Sequence, residues 1–157
     1  MSFNWDISIY NRNNQLVLVG EVKTILNASQ DWGAKLRRNL LAHGILPSSP
    51  YFLLAFPDKL YLWTNSNTQL GEIEPTYAVD ANQIFQPYFK KARVSAEKIS
   101  NQSFELIVTS WLGEIIYSEK LLNQLDKSQQ WLIESGLYTA ISGGKLASED
   151  VAIVNMN

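Results

Sequence analysis

The 157-residue chain has no cysteine. That excludes disulfides, thiolate zinc sites and cysteine nucleophiles, and is compatible with a reducing compartment. Histidine is nearly absent: His43 is the only one. With no nucleophile elbow beside it, a Ser-His-Asp relay has little to stand on. A basic excess is missing too, since 13 Lys and Arg stand against 15 Asp and Glu, for a net charge of -2. Overall charge therefore does not announce a nucleic-acid partner, and any phosphate contact would have to come from a local basic face. No apolar run reaches the ~20 residues of a membrane span, and no basic segment leads into an apolar one at the start of the sequence. The expectation is a soluble cytoplasmic protein with no signal peptide and no membrane partner. Internal repeats and low-complexity tracts are absent as well.

What is present is a hydrophobic content of 46%, enough for the core of one domain over 1–157. The most informative stretch is 4–23. Asn4-Trp5-Asp6-Ile7-Ser8-Ile9-Tyr10 and Leu16-Val17-Leu18-Val19-Gly20-Glu21-Val22-Lys23 read as two strands around a polar turn holding Asn11, Asn13 and Asn14. If Asn13 and Asn14 form a two-residue turn, opposed positions sum to 27 and Asp6 faces Glu21. Glu21 and Lys23 then share a face while Val22 points the other way. Like charges opposed on a sheet repel. A hard divalent cation would relieve that repulsion, and the amine could hold a metal-bound water for phosphodiester hydrolysis. The bland alternative is an ordinary hairpin with charges on an exposed face, and a longer turn would break the Asp6–Glu21 opposition.

Asp6, fourteen intervening residues, then Glu21-Val22-Lys23 at the end of an apolar strand resembles the PD-(D/E)XK nuclease superfamily over roughly residues 4–64. Trp5 stands where the family pattern has Pro. The resemblance implies an α/β, restriction-endonuclease-like mixed sheet flanked by helices. It implies that Asp6 and Glu21, with the Val22 carbonyl, hold Mg²⁺ or Mn²⁺, and that Lys23 assists the attacking water. It also implies DNA as partner, with RNA left open, and allows a homodimer or a partner subunit. The family core normally opens with a helix, often carrying another acid, and a strand. Only five residues precede Asp6. Either later segments substitute or the chain is a reduced relative.

Further along, Ser29 or Asp31 caps a helix running to about His43, with Gly44 as its stop. Trp32, Leu36 and Leu40 form its buried stripe. Lys35, Arg37 and Arg38 lie off that stripe and are the candidate backbone-gripping residues; the plain alternative is a solvated face. His43 reads as a helix-end residue near the negative dipole end. Tyr51–Phe56 is a run suited to a strand buried on both faces. Pro57-Asp58 turns the chain into a hairpin partner, 59–63, and a loop follows from Asn65.

The second half reads as helix-rich, about 80–141. Asp80 and Gln83 make a capping-box pattern, for a helix that Pro87 kinks. Lys90, Lys91 and Arg93 end it, as dipole partners or as a second phosphate-contacting patch. Ser103 reads as the cap of a helix with Phe104, Ile107, Val108, Trp111, Leu112 and Ile115 inward. Short helices are expected at Leu121–Leu125 and Ser128–Ser135, an edge strand at Leu137–Ile141 and a turn at Gly143-Gly144. The end, 150–157, is read as loose or docked as a strand. Three functions are in play: a metal-dependent nuclease acting on DNA, a catalytically inactive relative serving as a nucleic-acid- or protein-binding subunit, and an unrelated α/β interaction domain.

Overall fold

A computed structural model describes residues 5–118 and 125–148. In chain order the elements are β1 (Ile7–Tyr10), β2 (Leu16–Val22), α1 (Gln30–Ala42), β3 (Tyr51–Ala55), β4 (Lys59–Trp63), β5 (Tyr77–Asp80), α2 (Asn82–Ala92), α3 (Asn101–Ile116), α4 (Gln130–Glu134), α5 (Leu137–Ile141) and β6 (Lys145–Ser148). The strands form one mixed sheet in the order β5-β4-β3-β2-β1-β6. Among the described strands only β2 and β3 run parallel. A parallel pair needs a long crossover, and α1 supplies it.

The sheet separates two cores. Val19, Phe52, Leu54, Phe56, Tyr61 and Trp63 face Leu36, Leu40 and Leu41 of α1. On the other side Ile7, Ile9, Leu18, Leu53 and Leu62 pack with Phe85 of α2, Phe104, Trp111 and Leu112 of α3, and Leu132 and Leu137 beyond. The unbroken β3 run Phe52-Leu53-Leu54-Ala55 thus divides its side chains between both layers. Each such aromatic or leucine removes enough apolar surface from water to contribute about 1.5–3 kcal/mol.

The β1–β2 turn is longer than two residues. Asn11 N–H donates to the Gln15 carbonyl at 2.8 Å, and Asn14 N–H to the Asn11 carbonyl at 2.9 Å. Asn14 sits at φ 63°, the left-handed position of a three-residue hairpin loop. Tyr10 therefore pairs with Leu16, but Ile9 pairs with Leu18 and Ile7 with Gly20. Val17 is the extra residue of a bulge, and it shifts the register back by one. The longer loop and the bulge cancel, so the sum of 27 holds at the site end of the ribbon.

Several expectations need correction. On α1 the buried residues are Gly33, Ala34 and Arg37, while Trp32 is 38% exposed; the inward face is rotated by about one residue from the expected stripe. A fifth strand, β5, ends the segment read as loop. The cap of α3 is Ser100, whose hydroxyl accepts from Ser103 N–H at 3.1 Å. Residues 137–141 are helical, because Gly136 at φ 80° separates α4 from α5. The last strand among the described residues is β6, which lies antiparallel on the outer edge of β1. Its approach is close: a Cβ on Gly144 would lie 2.1 Å from the Tyr10 carbonyl oxygen. His43 does close α1, with Nδ1 2.7 Å from the Asn39 carbonyl. All but the last residue of the helix expected at Leu121–Leu125, and the terminal stretch 150–157, lie outside the described residues.

Candidate active site

The ribbon delivers its charged groups to one end of the sheet. Asp6 lies one step beyond the Ile7–Gly20 pair, opposite Glu21. Its backbone N–H donates to the Gly20 carbonyl at 3.1 Å. Its carboxylate accepts from Val22 N–H at 2.8 Å. Beside it, Trp5 Nε1 donates to Ser8 Oγ, so the residue before Asp6 folds onto β1.

Glu21 is only 7% exposed. Lys23 Nζ lies 4.0 Å from its Oε2, with the lysine side chain 40% exposed. Burial pushes the Glu21 carboxyl up from 4.5 to about 7, and the Asp6 charge and a hydrogen bond with Asp6 push the same way against the pull of Lys23. A buried acid sharing a proton with a neighbouring carboxylate behaves in this way. Glu105, in the first turns of α3, adds a further repulsion. Sequence reading did not single out Glu105, since it carries no spacing signal relative to the ribbon.

A hard divalent cation suits this donor set. Two carboxylates within hydrogen-bond reach cannot both ionise cheaply, and a cation would remove the conflict. Val22 has a buried side chain, so it could offer such an ion its carbonyl alone. Among the described residues, no group of three or more His, Asp or Glu side chains is placed to hold a metal.

Comparison with family models, curated proteins and solved structures gives no match. The site is therefore argued from its own geometry.

Of the three cations expected to form a basic face on α1, Arg37 does not reach the surface. Its guanidinium donates to Ser66 Oγ and to the Ser66 and Gln69 carbonyls, and its Cζ lies 5.7 Å from the Trp63 ring centroid. Burial pushes its pKa down. It ties the 64–76 loop to α1 and cannot reach a phosphate. Arg38 pairs with Glu72 at 2.8 Å and Lys35 with Asp31 at 3.1 Å. These two remain at the surface, but each already faces a carboxylate. Among the described residues no helix is long and apolar enough to cross a membrane.

Proposed function

We propose that this chain is a metal-dependent nuclease of the restriction-endonuclease-like, PD-(D/E)XK type, hydrolysing DNA phosphodiester bonds in the cytoplasm. One observation carries the reading: Asp6 and Glu21 meet across the ribbon with Lys23 Nζ 4.0 Å from Glu21. Asp6 is held in place by Val22 N–H, Glu21 is desolvated, and Lys23 keeps a partly exposed amine beside Glu21. A bound Mg²⁺ or Mn²⁺ would supply charge neutralisation at the phosphate and an acidified water. Lys23 would orient that water and stabilise charge growing on the phosphate oxygens. Further support comes from α3 and β6. α3, which carries Glu105, packs on β2 and β6, and β6 pairs with the outer edge of β1, so later segments supply a helix with an acid and a further strand, the two kinds of element that the resemblance implies.

The test incubates purified protein with plasmid and with single-stranded DNA in Mg²⁺, in Mn²⁺ and in chelator. Cleavage should require the metal and fall at least about 100-fold in Lys23→Ala, the usual scale for losing a group that acts on the proton or charge in flight. Equal cleavage by Lys23→Ala overturns the assignment. A second reading keeps the fold as a binding subunit without catalysis. The near-complete burial of Glu21 favours it, and binding without cleavage would select it.

A further inference from the structure

Trp32 is an aromatic that the core leaves unburied. At 38% it is the most exposed of the five tryptophans; Trp63, Trp111 and Trp131 are buried and Trp5 is half-buried. The four-residue repeat on α1 places Trp32 inward, and the structure turns it out beside the candidate site.

The strand registers fix that position. Glu21 pairs with Leu54, and Leu54 with Tyr61. Cross-strand partners project to one side of a sheet, so Glu21 shares the face that Leu54 and Tyr61 present to α1. The first turn of α1 lies directly on this row: a Cβ on Gly33 would come within 3.3 Å of Leu54 and 3.1 Å of the Tyr61 ring. One row further, Lys23 N–H donates to the Ala55 carbonyl at 3.0 Å, which continues the β2–β3 ladder and sets Lys23 beside Phe56. Trp32 lies edge to face against Phe56, with ring centroids 5.9 Å apart. The helix period decides the flank. Gln30 lines a cavity with Lys59 of β4 and Asp80 of β5, and the Arg37 guanidinium lies over Trp63 of β4. At about 100° per residue, Trp32 projects from the flank away from both, toward β2. With strands about 4.8 Å apart, the indole stands on the order of 10 Å from Lys23, the reach from a phosphate to the base of an adjoining nucleotide.

An open indole beside the amine of the site is a stacking platform. Every base has a π-face, and stacking on an aromatic ring needs no positive charge. Inside a duplex both faces of a base are covered by its neighbours, so only an unpaired or extruded base reaches such a ring. The charges favour the same substrate. Duplex binding draws on phosphate neutralisation, yet Arg37 is buried and Lys35 and Arg38 each face a carboxylate. We infer that Trp32 seats an unpaired base of single-stranded DNA whose backbone passes Asp6, Glu21 and Lys23, so that single strands rather than duplex are the substrate class of the site. This rests on the nuclease reading for its ligand, but stacking and cleavage are measured apart.

The experiment measures binding of a short oligothymidylate, and of a duplex of equal length, by the whole chain in chelator at low and at high salt. Intrinsic tryptophan emission is the second readout. Trp32→Leu should weaken single-strand binding about 5- to 150-fold and remove the quench that the oligonucleotide causes. The loss should be equal at both salts, because stacking releases no counterion. Trp32→Tyr should keep most of the affinity. Tyr117→Leu, at an aromatic 73% exposed beyond the end of α3, should keep all of it. Circular dichroism checks that each variant is folded. Should Trp32→Leu fail to fold, acrylamide quenching of the wild type takes its place, and the oligonucleotide should shield the accessible tryptophan. Unchanged single-strand binding by Trp32→Leu, tighter binding of duplex than of single strand by the wild type, no single-strand binding, or no shielding overturns the inference. Metal-dependent cleavage with unaltered binding by Trp32→Leu removes the platform and leaves the nuclease reading standing. Trp32-dependent binding without cleavage keeps the platform and removes the nuclease reading.

Discussion

Replacing Glu21 by Gln should make the metal-free protein more stable, although the residue lies at the heart of the candidate site. The folded chain holds the Glu21 proton up to about pH 7, from an ordinary value of 4.5. Between those values the native state binds more protons than the unfolded one, so stability falls as pH rises. The favourable contribution is fully present below about pH 4.5 and is lost by the time pH passes 7. At 1.36 kcal/mol per pKa unit, the loss amounts to about 3 kcal/mol. Gln has nearly the same shape, can donate its amide to Asp6, and has no proton to lose. Glu21→Gln should therefore exceed the wild type by about 3 kcal/mol at pH 8 and by only a few tenths of a kcal/mol at pH 4.5. Urea unfolding in chelator, followed through the five tryptophans, gives both numbers. Adding millimolar Mg²⁺ at pH 8 should narrow the gap, because a cation binds the ionised wild-type site and not the amide. A variant less stable than wild type at pH 8, or one shifted equally at both pH values, would refute the argument that Glu21 is desolvated against Asp6.

Three other outcomes follow from the same structure. Lys23→Met removes the charge that pulls the Glu21 carboxyl down, so the pH at which stability drops should move above 7, as read from urea midpoints across a pH series. Arg37→Leu leaves the Ser66 and Gln69 carbonyls without their donor and should cost about 3 kcal/mol. Hydrogen exchange should rise across 64–76, while the salt slope of DNA binding stays unchanged. Gly144→Ala forces a methyl against the Tyr10 carbonyl and should cost about 1–3 kcal/mol, with faster exchange at the β1–β6 ladder than at β1–β2.

The sequence made the ribbon legible because alternation and turn residues are local signals. Even so, the register was reached through two errors that cancelled: the turn has three residues, and Val17 bulges. The sites least legible were those that tertiary contacts decide. Arg37 carries a charged side chain beside an identical one at Arg38, and nothing nearby in sequence says that the carbonyls of a loop some thirty residues on will enclose it. Leu137–Ile141 has strand-like composition, but Gly136 in a left-handed conformation starts a helix there. β5 hid within a turn-rich stretch because an edge strand of four residues leaves little periodicity. Glu105 joins the site only through the way α3 lies across the sheet.

The outermost pairing, β6 on β1, joins the two ends of the described chain. Ile9 meets Leu146 and Tyr10 meets Lys145. A ribosome releases β1 well before β6, so the partner for that edge of β1 emerges only after the strands and helices between them. During synthesis the hairpin with Asp6 and Glu21 can close early, but one side of it stays open to pairing with other chains until β6 arrives. Closure over so long a separation is slow, so a nascent chain stalled before residue 145 should be the form that chaperones hold.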